Sequence, residues 1–195
     1  MEKKTQSTEQ KADSAHLINE QQRQDSLAAR LRAGDREAAV ELVGLYYQQI
    51  YFFMRRLGHS RQVSEDLTQE SFLSAWSHIR QLKEGRALKG WLYRIAGNAS
   101  KLYWRKHAAS RQVGFNGIDV ADSSEPETDK AGRYEQLDQL KDAVAGLPMK
   151  LRQAVVLHYM QHLTIAEAAE AAGVRKGTFK SRLNRALEFL RKHFI

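Results

Sequence analysis

TIAEAAEAAGVRKGTFKSRLNRALEFLRKH, residues 164–193, holds two helices and the turn that joins them. Thr164 and Glu167 stand three apart, so the threonine hydroxyl and the glutamate carboxylate can each satisfy a free backbone amide of the other residue. The short helix opened by that capping box runs to Ala172 and breaks at Gly173-Val174. A longer helix then starts near Lys176 and runs to His193. Phe179, Leu183, Ala186, Leu187 and Leu190 recur on one of its faces at helical spacing. Lys176, Lys180, Ser181, Asn184 and Arg185 point the other way, a set able to hold phosphates and touch base edges in a DNA major groove. Short helix, glycine turn, long basic helix is the helix-turn-helix pattern.

Toward the N-terminus, Leu151 to Tyr159 reads as another helix, with Leu147-Pro148 as the break before it. Leu137, Leu140 and Val144 place one more helix ahead of that break, so a C-terminal domain spans 133–195. Residues 108–132 carry Gly, Ser, Asp and Glu around Pro126 without a sustained period, the composition of a flexible linker. Such a linker would leave the two halves of the chain free to tumble.

Residues 25–107 read as a separate helix bundle. Leu27 and Leu31 make a short amphipathic turn that stops at Gly34, and Asp35 suits the N-cap of a longer helix. The ladder Ala38, Leu42, Leu45, Tyr46, Ile50, Phe53 and Leu57 follows, closed by Gly58. Ser60 can cap a third helix that buries Val63, Leu67, Phe72, Ala75, Trp76 and Ile79. A loop from Lys83 to Leu88 leads to a fourth helix, from Lys89 or Gly90 to about His107. Trp91, Leu92, Ile95, Ala99 and Leu102 fill one of its sides. Residues 1–24 carry few apolar positions and no period, and read as a disordered tail. The fold class expected is therefore all-α: two small helical domains joined by a flexible linker.

Composition agrees. The 195 residues are 42% hydrophobic, with only two prolines and twelve glycines, enough for real cores and poor in helix breakers. There is no cysteine, which removes disulfides, thiolate metal sites and thiol nucleophiles. No apolar run reaches the roughly 20 residues that cross a bilayer, and a cytoplasmic protein with no membrane insertion is expected. The net charge of +8 is uneven: residues 25–106 carry +6 and 135–195 carry +4, around a spacer, 107–134, at −2. Two basic blocks suit two domains that each meet a polyanion.

Two further surfaces stand out. Asp66, Gln69, Glu70 and Leu73 share one face of the third helix at i, i+3, i+4 and i+7, and a leucine among carboxylates and amides can anchor a partner. On the fourth helix Arg94, Asn98, Lys101 and Arg105 form a stripe bordered by Trp91 on one flank and Trp104 on the other. Cations hold phosphates, while an amide and aromatic rings can bond or stack with unpaired bases, a combination suited to opened DNA. Enzymatic readings fail. His158 and His162 have metal-ligand spacing, but no Glu follows His158 and no third ligand is evident. Neither a phosphate-binding glycine loop nor a nucleophile elbow occurs, so neither cofactor nor metal is expected.

Taken in order, these surfaces resemble the two domains of extracytoplasmic-function sigma factors. Glu65-Asp66-Leu67-Thr68-Gln69-Glu70-Ser71-Phe72-Leu73-Ser74-Ala75-Trp76 is similar to that family's polymerase-binding helix, and Trp91-Leu92-Tyr93-Arg94-Ile95-Ala96-Gly97-Asn98 to its helix for the minus-ten element. Leu147-Pro148, Arg152, Gly173-Val174, Gly177-Thr178, Lys180-Ser181-Arg182-Leu183 and Arg185-Ala186 resemble its minus-thirty-five domain. The likeness runs from about Leu27 to Leu190. It implies that Asp66, Gln69, Glu70 and Leu73 meet core RNA polymerase, that the loop Lys83 to Leu88 cradles a flipped base beside Asn98, and that Thr178 joins the promoter DNA contacts of the last helix. An anti-sigma factor is an implied partner as well. Leu82, Leu88 and Leu102 depart from the residues usual in the minus-ten region, and Ala168 and Phe179 from those usual in the helix-turn-helix. The competing expectation is a conventional helix-turn-helix regulator whose N-terminal bundle senses a ligand or dimerises.

Overall fold

The computed structural model describes residues 21–107 and 131–194, with side chains of the second segment from 139 to 192. The tail expected over 1–24 lies outside these residues as far as residue 20, and the linker expected over 108–132 lies outside them as far as residue 130. Every described element is helical. Helix α1 covers 21–32 of the described residues, which takes in residues 21–24 of the segment expected as a tail. Leu27, Ala28 and Leu31 seat it in the core.

Helix α2 (Arg36–Arg56) starts at Asp35, whose carboxylate accepts from the amides of Glu37 and Ala38. It ends before Gly58, which holds φ +94°, the left-handed conformation that glycine adopts without penalty. Ser60 caps α3 (Arg61–His78) by accepting from the Val63 amide. This helix is polar even on its inner face. Thr68 and Ser71 are buried and donate to the carbonyls of Ser64 and Leu67, one turn back, each at 2.6 Å. Local back-bonding of this kind satisfies a hydroxyl without a tertiary partner. Two short 3₁₀ turns, Ile79–Gln81 and Gly85–Ala87, carry the chain into α4 (Leu88–Lys106).

In the second half, α5 (Ala131–Gly146) leads through Leu147-Pro148 to α6 (Met149–Val155), which widens into a π-helical stretch at Val156–Met160. The Gln161 amide accordingly reaches the Val156 carbonyl five residues back, and His162 turns the chain at φ +54°. Helix α7 (Ile165–Ala172) carries the complete capping box, with the Thr164 amide donating to Glu167 at 2.8 Å and the Glu167 amide to Thr164 at 3.3 Å. Gly173 closes it at φ +67°, and α8 (Lys176–Phe194) follows.

Side-chain burial differs from the sequence reading at Leu45, at Trp76 and along α4. Leu45, placed in the α2 ladder, is 53% exposed, and Trp76, placed in the α3 core, is 38% exposed. Both sit at the edge of their helix's apolar arc, where period alone does not decide. The larger difference concerns α4. Its most deeply buried positions are Leu88, Gly90, Leu92, Tyr93, Ala96, Gly97 and Ser100, because a second face packs along α7 of the other half. The two basic halves therefore do not stand apart: their buried side chains form one continuous cluster.

Candidate nucleic-acid interface

On α3, Asp66, Gln69, Glu70 and Leu73 are all exposed, as their spacing requires, and Leu73 is 69% exposed. Next to them runs an apolar groove of about 510 Å³, lined by Leu42, Val43 and Tyr47 of α2 and by Phe72, Leu73 and Trp76 of α3. Val40 is 73% exposed one turn along α2. The sequence reading missed this contribution from α2; the signal was Val40 and Val43 standing off the ladder that α2 commits to the core.

Helix α4 presents Arg94, Asn98, Lys101 and Arg105 on one exposed stripe, with Trp91 half-buried beside it. Trp104 occupies a different environment from the one its position suggested. Its indole stacks on the buried His59 ring at 4.6 Å between centroids, and His59 Nε2 lies 2.7 Å from Ser100 Oγ. His59 and Trp104 thus tie the end of α4 to the α2–α3 turn. Lys101 reaches back across the stripe to donate to the Ala172 carbonyl at 3.3 Å. Burial holds its ammonium below the ordinary lysine range, helped by the neighbouring charges of Arg182, Arg94 and Lys150.

The loop ahead of α4 is held from behind. Arg32 of α1 donates to the carbonyls of Leu82 and Lys83, both at 2.9 Å, and a Cβ at Gly85 would fall 2.4 Å from the Asp25 backbone. Nothing larger than glycine fits there, so α1 fixes the shape of the loop. Between loop, α4 and α7 opens a cleft of about 820 Å³, which Arg86, Trp91, Arg94 and Asn98 line on one side and Glu167 and Glu170 on the other.

On α8, Lys176, Thr178, Lys180, Ser181, Asn184 and Arg185 are all exposed, while Phe179, Leu183 and Ala186 are buried against α6 and α7. Phe179 and Ala168, the two departures from the usual helix-turn-helix residues, are both fully enclosed. His158 uses Nδ1 to donate to the Leu163 carbonyl at 2.8 Å, which makes it a clamp on the π-helical end of α6.

An all-helical chain with a helix-turn-helix at one end and a basic, aromatic-bordered helix at the other has the parts of a DNA-binding initiation factor. Comparison with known proteins agrees. Residues 42–110 match the family model for sigma-70 region 2, and residues 137–190 match that for sigma-70 region 4. The chain is 31% identical to the ECF RNA polymerase sigma factor SigW of Bacillus subtilis (strain 168), across 83% of this chain and 91% of that protein. It is 29% identical to the ECF RNA polymerase sigma-E factor of Haemophilus influenzae, across 88% and 95% respectively. The solved structure of CnrH, in complex with the cytosolic domain of CnrY, superposes with a TM-score of 0.65 at 22% identity, covering 87% of this chain and 96% of that one, a likeness of fold. The chain belongs to the sigma-70 family, in its extracytoplasmic-function group. It is an alternative sigma factor, a non-enzymatic subunit of transcription initiation. Among the described residues, no helix is long and apolar enough to cross a membrane.

Proposed function

We propose that the chain divides its work among three faces in the order in which they occur. Residues 25–107 form the domain that binds core polymerase and the minus-ten element, residues 133–195 form the minus-thirty-five domain, residues 108–132 link them, and residues 1–24 precede both. Core polymerase docks on Asp66, Gln69, Glu70 and Leu73. Trp91, Arg94, Asn98, Lys101 and Arg105 take the opened minus-ten strand, and Lys176, Thr178, Lys180, Ser181, Asn184 and Arg185 take the minus-thirty-five duplex. The observation that carries this reading is the second cationic stripe: Arg94, Asn98 and Arg105 are exposed on α4, on a different half from the helix-turn-helix. A conventional regulator has no use for it.

An anti-sigma factor is the regulatory partner this reading adds. The sigma factor RpoE of Bartonella quintana, whose fold this chain shares with a TM-score of 0.63 at 24% identity, was solved in complex with the anti-sigma factor NepR. A cytoplasmic location follows from work on polymerase and chromosomal DNA. Run-off transcription from a promoter library with purified core enzyme tests the proposal. Initiation that depends on this chain is expected. Tight, specific binding to duplex DNA by the chain alone, without initiation, would favour the regulator.

A further inference from the structure

We infer that α1 belongs to the minus-ten apparatus: Arg32 is a positioning residue that holds the loop 82–87 in the shape that receives an unpaired base, and so sets which base is accepted. This rests on the assignment of the minus-ten strand to α4 and extends it to the loop ahead of that helix.

The loop has two sides. Leu82, Gly85 and Leu88 are buried, whereas Lys83, Glu84 and Arg86 are exposed. The exposed side lines the cleft of about 820 Å³ together with Trp91, Arg94 and Asn98 of α4. The buried side meets α1 at Gly85, and neither Asp25 nor Arg32 lines the cleft. Helix α1 therefore acts on a captured base only through the loop.

Two local turns build the loop. The Leu82 amide donates to the Ile79 carbonyl at 3.0 Å, and the Ala87 amide to the Glu84 carbonyl at 3.1 Å. The joint between these turns, at Leu82-Lys83, is set from outside. Nη1 of Arg32 donates to both of their carbonyls, each at 2.9 Å. Two successive carbonyls meet one nitrogen only where the chain is bent, so the guanidinium fixes that bend. Hydrogen bonds from a charged donor are about twice as strong as neutral ones. Two residues further on, a Cβ at Gly85 would fall 2.4 Å from both Cα and Oδ1 of Asp25, so the missing side chain is what lets loop and helix touch.

The support is itself fixed. Leu27, Ala28 and Leu31 bury α1 in the core, and Arg30 pairs with Asp35 at 2.8 Å and with Glu41 of α2 at 2.7 Å. Arg32 is the last residue of this anchored helix, so the two loop carbonyls are placed relative to the same core that holds α4. A binding site is precise when its residues are held by such a supporting layer. Ordering a loop only on binding costs affinity, and a loop free to repack adjusts to several partners. Held by Arg32, the loop offers a captured base one arrangement of Lys83, Glu84 and Arg86; released, it offers several.

Run-off transcription by the full chain with core polymerase, on templates whose minus-ten element is randomised, gives the base preference at each position when the products are sequenced. Arg32→Met keeps a long side chain without its donors. It should relax the preference at one minus-ten position by at least about fivefold, the lower end of what a base contact contributes to discrimination, and leave the other positions and the minus-thirty-five preference unchanged. Ratios between bases do not depend on how much of the protein is active, so a loss of stability alone would not move them. Gly85→Ala, which separates loop and helix from the other side, should relax the same position. Arg23→Met removes a charge from an exposed site on α1 and should leave the profile unchanged. An unaltered profile for Arg32→Met, equal relaxation at every position, or the same change in Arg23→Met would each overturn the positioning role. Asn98→Ala separates the two ideas: if it shifts a minus-ten preference while Arg32→Met does not, the role of α1 fails alone, and if it shifts none, the assignment of the strand to α4 fails as well.

Discussion

Two leucines six residues apart on α3 should respond to the same substitution in opposite ways. Leu73 is 69% exposed and Leu67 only 5%. Full burial of a leucine side chain is worth about 1.5–3 kcal/mol, so Leu73 has about 1–2 kcal/mol still to gain when a partner covers it. Leu73→Ala should therefore weaken core-polymerase binding by a factor of about 5–30. Because the side chain touches little in the free protein, its thermal midpoint should barely move, as for most surface changes within about 0.5 kcal/mol. Leu67→Ala should do the reverse, costing about 2–5 kcal/mol of stability through the cavity it leaves. A single cysteine introduced away from α3 gives a unique site for a fluorophore, and titration with core enzyme then reads affinity directly. Circular dichroism melts read stability. Leu73→Ala binding core enzyme as tightly as wild type would refute the assignment of this face, whatever the melts show.

The two DNA faces should separate by step. Asn98→Ala should leave closed complexes in gel shifts nearly intact, impair opening, and recover activity on a template premelted around the minus-ten element, whereas Arg185→Ala should weaken recruitment and gain little from premelting; equal responses would sink the division. Thr164→Ala removes one half of the α7 capping box and should cost about 1 kcal/mol of stability, measured by denaturant unfolding. Asp35 is held below the ordinary carboxyl value of 3.8, first by its hydrogen bond from Arg30 and then by the amides it caps. Its contribution to stability is therefore complete above pH 3.8 and fades as pH falls through its lower folded value. Asp35→Asn retains a capping acceptor without the titration, so its melting temperature should depend less on pH in acid than that of the wild type.

Most of the helix boundaries were legible because caps are local chemistry. Asp35, Ser60 and Thr164 with Glu167 act within four residues, and Gly58 and Gly173 adopt the left-handed conformation that other residues rarely hold. The three polar faces were legible too, since spacing fixes which side chains share a side of a helix. Period could not tell what lies opposite a face. Gly97, Ser100 and Tyr93 carry little hydropathy signal, yet they are among the most buried residues of α4: the first two because small side chains let another helix approach, and Tyr93 because Gln161 accepts its hydroxyl. The stack of Trp104 on His59 was hidden for a different reason. It joins positions 45 residues apart through a turn whose direction no local pattern encodes.

Packing two basic halves together looks unfavourable for a chain of net charge +8, and the make-up of the boundary resolves this. The helices meet through glycine and alanine, neutral amides and a tyrosine hydroxyl, and the cations that cross the boundary, Arg56, Lys101 and Arg152, end on backbone carbonyls. The carboxylates of Glu167 and Glu170 stand on the side of the cleft that faces Arg86 and Arg94, where they lower the local positive potential. The contact between the halves thus depends on short-range packing and a local acidic patch, against a long-range charge term that opposes it.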